Sequence, residues 1–136
     1  EATLERLETL AVPVLGYKTN KFPGFYLTES GFEIEHRVDS PEAIADIWRQ
    51  RAGVNTSDSA VIVTNPVKVE LDRTLHDKLL FDGLAEAEAK HITGKAVTPF
   101  LLEYFHRLSE GKSLDVNVDI IKSNSELAAK IAIAIQ

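Results

Sequence analysis

Three groups of residues have side chains and spacings that could bind a ligand. The first is Asn117. On a helix turning about 100° per residue, Asp115, Asp119 and Lys122 share a polar arc, and Leu114, Val116, Val118, Ile120 and Ile121 cover the rest. Asn117 falls among them, between Ile120 and Ile121. An amide on an apolar face needs partners, because leaving it unpaired costs about 1–3 kcal/mol. Either a backbone loop or a bound ligand can supply them, and Asn124 is the second amide to consider. The second group is the junction Gly94-Lys95-Ala96-Val97-Thr98-Pro99-Phe100. Gly94 suits a left-handed C-cap after a helix that runs out near His91. Thr98 reads as the next N-cap and Pro99 as the first helical residue. Lys95, beside free backbone N–H groups, could hold an anion, although capping alone also explains Thr98. The third group is the aromatic loop Phe22 to Tyr26, a pocket wall, a subunit contact or plain packing.

Other chemistries find no support. There is no cysteine, hence no disulfide, thiolate metal site or cysteine nucleophile. His36, His76, His91 and His106 lack metal-ligand spacing on one helix, no HExxH occurs, and all four read as surface residues. Asp72 and His76 form an i,i+4 helix contact rather than a dyad. Glu86, Glu88 and Lys90 read as a solvated face. Gly94-Lys95 lacks the upstream glycine of a phosphate loop, and no serine elbow or dinucleotide fingerprint appears.

These residues need a scaffold. Thr3 to Leu10 reads as the end of an amphipathic helix, and Val12 to Tyr17 as a short buried strand. Glu33 to Val38 alternates like a strand. Ser40-Pro41 starts a helix with Glu42 in its first turn, an apolar side of Ala43, Ile44, Ile47 and Trp48, and an end before Gly53. Ala60 to Thr64 is a β-branched run suited to an interior strand, stopped at Asn65-Pro66. Asp72 to His91 and Thr98 to Leu108 are helical. Ser113 to Lys122 and Asn124 to Ile135 form one kinked helix or two, although Ile131, Ile133 and Ile135 also alternate as in a strand. The fold expected over residues 1–136 is a single α/β domain, a mixed sheet flanked by helices with extra helices at the C-terminal end. Val12–Tyr17 should lie beside Ala60–Thr64.

At 136 residues with 44% apolar and 26% charged side chains, the chain can bury a globular core. Its net charge of −6 argues against a nucleic-acid partner. A phosphorylated small molecule remains compatible, since a pocket can be locally basic. No apolar run is long enough for a membrane span.

The string Gly94 to Leu102 (GKAVTPFLL) resembles a segment of the pseudouridine-5′-phosphate glycosidases, the family that includes indigoidine synthase A-like proteins. So do Leu7 to Val14 with Gly16-Tyr17, Phe22 to Tyr26 with Ser30-Gly31, Arg37 to Glu42, Thr64-Asn65-Pro66, and Asn117 to Ala129. The matches keep their order from end to end and fall in the family's C-terminal half. Together with the absence of methionine even at position 1, this implies part of a longer protein and a larger α/β domain. The resemblance implies cleavage of the C–C glycosidic bond of pseudouridine 5′-phosphate to uracil and ribose 5-phosphate, through a lysine Schiff base that acts as electron sink. It further implies a glutamate for acid–base work, Mn²⁺ held by an aspartate, and a cytoplasmic homo-oligomer (a trimer). The family lysine, aspartate and glutamate have no matching positions here. The chain alone is therefore expected to be inactive, contributing Asn117 as a contact to the base and Lys95 and Thr98 toward the phosphate.

Overall fold

The computed structural model describes residues 2–54 and 59–136. Helix α1 (Ala2–Thr9) leads into strand β1 (Val14–Tyr17), and an excursion without a helix returns to β2 (His36–Val38). Helix α2 (Pro41–Val54) precedes β3 (Ile62–Thr64). Helices α3 (Arg73–Ala89), α4 (Val97–Leu108) and α5 (Lys112–Ile135) follow, with a 3-10 turn at Gly94–Ala96. The sheet order is β2-β1-β3. Leu15 is opposite His36 on one side and Val63 on the other, and both pairings are parallel. The α/β class and the β1–β3 neighbours follow the sequence expectation. The sheet, expected to be mixed, is parallel in its three named strands; an antiparallel pairing occurs as an isolated bridge, Lys21 to Glu33.

Local chemistry sets the elements. Strand β1 tolerates Gly16 because the chain doubles back at once. Lys18 takes a left-handed φ of 58°, and a Cβ on Gly16 would lie 2.1 Å from the Thr19 carbonyl oxygen. Ser40 Oγ accepts the Ala43 N–H at 3.2 Å, and Asp72 Oδ1 accepts the Leu75 N–H at 2.8 Å, capping α2 and α3. The Asp72 side chain thus caps the helix while its carbonyl accepts the His76 N–H at 2.8 Å, and the His76 ring lies 2.9 Å from Asp77 Oδ1 and edge-on to Phe105. His76 is partly buried, unlike the other three histidines. Helix α2 runs through Gly53 to Val54, and Trp48 is 46% exposed, because Ile44, Ala45 and Ile47 take the inward positions.

The end of α3 is not at Gly94. His91 adopts φ 55° directly after the last turn. Its N–H donates to Glu88 O and the Ile92 N–H to Ala87 O, each at 2.9 Å, the paired bonds that close a helix. Gly94, at φ 59°, instead opens the 3-10 turn. Helix α4 begins at Val97, where no side chain caps, so Thr98 is a first-turn residue and not the N-cap. Helix α5 is one continuous helix, neither split nor strand. Arg49 of α2 donates to its last-turn carbonyls, to Ala134 O at 2.7 Å, satisfying acceptors that have no partner within the helix.

Among the described residues, two clusters make the core. Tyr26, Leu71, Leu79, Tyr104 and Phe105 pack between the aromatic loop, α3 and α4, with Tyr26 stacked on Phe105 at 5.3 Å. Leu15, Val38 and Ile44 pack between the sheet and α2. Helix α5 joins the two, through Val116 in the first and Ile131 in the second.

Candidate functional site

In an open parallel sheet, ligands sit beyond the carboxyl ends of the strands where the connections diverge. Here β1 leaves toward β2, and the chain then crosses to β3 on the opposite flank. The divergence lies at the ends of β1 and β3. A cavity of about 360 Å³ opens there, lined by Tyr17 at the end of β1 and Lys18 after it, Asn65 and Lys68 after β3, and Glu126 and Lys130 from α5, among others.

The floor is built by hydrogen bonds. Buried Thr64 Oγ1 donates to Leu15 O at 3.2 Å, fixing the end of β3 to β1. The next residue, Asn65, donates through Nδ2 to Ser123 Oγ and to Asn124 Oδ1, both at 3.0 Å. Those bonds leave the Asn65 carbonyl oxygen available as an acceptor. Lys18, Lys68 and Lys130 line this cavity with one acidic residue, Glu126, whose carboxylate is 3.8 Å from the Lys68 ammonium. The Lys18 ammonium also lies 5.2 Å above the Tyr17 ring. A locally positive basin on a chain of net charge −6 favours an anionic ligand.

Asn117 lies on the same helix, seven residues before Asn124 and so on nearly the same side, about 10 Å farther along the axis. It is half-buried, and among the described residues its amide makes no hydrogen bond. A buried amide tied to a loop is therefore not what the structure contains. Lys95 sits in the 3-10 turn and Thr98 at the start of α4, both exposed. No hydrogen bond joins either to Asn117 or to the basin among the described residues. In the aromatic loop, Tyr26 is a core residue, while Phe25 is 52% exposed and packs edge-on to Tyr26 at 4.7 Å.

Sequence reading passed over Lys18, Asn65, Lys68 and Lys130. One usable signal existed: Asn65 stands directly after a β-branched run, where a parallel strand delivers polar groups to a ligand. A larger cavity, about 460 Å³, lies at the opposite, amino end of the sheet beneath α1, with Leu4, Val12, Phe32 and Ile34 in its lining. It offers Glu5, Glu8, Glu33 and Glu35 as its charged groups, with no ammonium to meet an anion. Among the described residues, no three His, Asp or Glu side chains gather as a metal site. Nor, among them, is any helix long and apolar enough to cross a membrane.

The family model described as indigoidine synthase A like protein matches residues 1–134. Curated relatives carry the name pseudouridine-5′-phosphate glycosidase. That of Salinispora tropica is 50% identical over 135 residues, and that of Streptomyces griseus 47%. Each alignment takes in 98% of this chain but 42% of the relative, so the chain spans less than half the length of these proteins. Among solved structures, the prealnumycin C-glycosynthase AlnA in complex with ribulose 5-phosphate superposes with a TM-score of 0.86 at 27% identity, over 98% of this chain and 44% of that one. An indigoidine synthase A-like protein of Thermotoga maritima gives 0.82 at 32% identity, over 96% and 43%. The chain belongs to the indigoidine synthase A-like family.

Proposed function

We propose that these 136 residues form the substrate-facing C-terminal portion of a pseudouridine-5′-phosphate glycosidase. The observation that carries this reading is the basic basin at the carboxyl ends of β1 and β3, lined by the hydrogen-bonded pair Asn65 and Ser123 and continued along α5 by the unpaired amide of Asn117. It is supported by the activity named for relatives at about half identity and by the sugar phosphate bound to a structural neighbour.

In this reading the basin lysines hold the phosphate by charge. Asn117 offers one donor and one acceptor to the edge of the uracil, which suits a pyrimidine. Lys95 and Thr98, proposed from sequence as phosphate contacts, become secondary to Lys18, Lys68 and Lys130. The lysine that forms the Schiff base, the acid–base glutamate and the aspartate that holds Mn²⁺ lie outside this chain. Its own residues bind and orient, and the assembled enzyme is a cytoplasmic homotrimer. The alternative is a non-catalytic module that binds a nucleotide or sugar phosphate and lacks the covalent step.

The test is uracil release from pseudouridine 5′-phosphate by the isolated chain and by a chimera in which it replaces the aligned 135 residues of the Salinispora relative. The expected result is release by the chimera alone. Asn117→Ala in the chimera should lower kcat/KM about ten- to a hundredfold, the loss of one or two hydrogen bonds. A chimera that binds ribose 5-phosphate without releasing uracil would favour the binding module.

A further inference from the structure

Helix α5 carries two apolar stripes, and one of them is bare. The inner stripe, running through Val116, Ile120, Leu127 and Ile131, is buried or half-buried against the rest of the fold. The other steps by four and three residues without a break from Leu114 through Val118, Ile121, Ser125, Ala128 and Ala132 to Ile135, and every member is exposed. Ile121 is 61% exposed and Leu114 47%. At about 100° per residue this stripe lies roughly 130° around the helix from the inner one, and it is about 32 Å long. A four-three repeat is the spacing of a helical packing seam, and a helix apolar on two sides is an interior helix. Asn117 and Asn124 lie in the arc between the two stripes, on the side away from Asp115, Asp119 and Lys122.

We propose that the bare stripe seats the polypeptide that makes up the rest of the relatives' fold, and that this contact closes the candidate site over Asn117. Three observations name that occupant. The relatives carry more than half their length outside the matched region. The matched portion keeps its fold within those longer chains, at TM-scores of 0.86 and 0.82. The stripe runs alongside the amides and the basin, so whatever covers it also forms the missing wall. Ser125, Ala128 and Ala132 at its centre let a backbone approach closely. The proposal rests on the family reading above, but its test does not require turnover.

The chain has no cysteine, so a single introduced thiol reports on its own position. Ser125→Cys is close to isosteric and lies on the bare stripe; Asp119→Cys lies on the polar arc and serves as the control. Each is placed in the isolated chain and in the chimera, and maleimide labelling is followed by peptide mass spectrometry. The expected result is ready labelling of both in the isolated chain. In the chimera, Ser125→Cys should label at least tenfold more slowly while Asp119→Cys is unchanged. Equal labelling of Ser125→Cys in a folded chimera overturns the proposal. Concentration-dependent protection in the isolated chain, with a doubling of mass by light scattering, also overturns it, because the occupant is then a second copy. If the chimera does not fold, the same two cysteines at the aligned positions of the intact Salinispora relative decide by the same criterion. Protection without uracil release sinks the activity reading and leaves the docking face standing; release without protection does the reverse.

Discussion

The side-chain amide of Asn65 donates to Asn124 Oδ1 at 3.0 Å, tying the residue after β3 to the middle of α5 across 59 positions of sequence. A second bond from the same nitrogen reaches Ser123 Oγ at 3.0 Å. Asn65→Ala removes both. The expected loss is about 1–2 kcal/mol, seen as a lower midpoint in urea at unchanged m-value. Asn124→Ala in the Asn65→Ala background should add almost nothing, since the pair is already broken. Additive losses would mean that the two amides act separately.

Gly16→Ala tests the turn after β1. The new Cβ would meet the Thr19 carbonyl oxygen at 2.1 Å, and backbone, not a flexible side chain, would have to move. The expected cost is about 3 kcal/mol or more, enough to leave much of the chain unfolded at 37 °C by circular dichroism. A near-native melting temperature would show that the loop after Tyr17 gives way cheaply.

His91→Gly should stabilise the protein. An L-residue held in the left-handed region loses about 1–2 kcal/mol, and glycine's extra unfolded-state entropy offsets part of that relief. The expected net gain is about 0.5–1 kcal/mol, a rise of roughly 2–4 °C in Tm. Gly94→Ala at φ 59° should move Tm the other way.

Acid should loosen the aromatic loop through Glu70. Its carboxylate accepts the Thr28 N–H at 2.9 Å and the Thr28 hydroxyl at 2.7 Å, and these bonds hold its pKa below the ordinary carboxylate value. A lowered folded pKa contributes stability that is present above the ordinary value of about 4.5 and lost as pH falls through the depressed one. Glu29, paired with Lys21, is lowered in the same sense. Tm should therefore drop on going from pH 6 to pH 3. Glu70→Gln should lower Tm at pH 6 and flatten the drop; an unchanged slope would place the acid sensitivity elsewhere.

Signals confined to neighbouring residues were legible in the sequence. Ser40-Pro41 starts α2 because a hydroxyl and a fixed φ act within one turn. Of the run Ala60 to Thr64, Ile62–Thr64 becomes a strand beside β1, because β-branched residues suit a buried parallel sheet. Gly94 misled because glycine tolerates a left-handed φ without requiring a helix end there; the free carbonyls of Ala87 and Glu88 were met three residues earlier, at His91. The alternation of Ile131, Ile133 and Ile135 suggested a strand, yet Ile131 packs inward and Ile133 is 71% exposed, as helical phase requires. Asn117 and Asn124 were picked out as candidates because an amide in an apolar helix is conspicuous. Lys18, Lys68 and Lys130 were not, because only the β2-β1-β3 order gathers them at one edge.

The bridging position of α5 also sets an order of assembly. Helices α3 and α4 are joined by a short turn and can pair early, whereas β1 must wait for β3, paired as Leu15 with Val63. The sheet-side cluster is completed by Ile131, near the far end of the chain from Leu15. During synthesis, β1 and β2 therefore emerge long before the helix that covers them. A ribosome-bound chain stopped before Ile131 would hold a parallel sheet with one face still wet, and a chaperone that grips short apolar strands would find Val14–Tyr17 before α5 does.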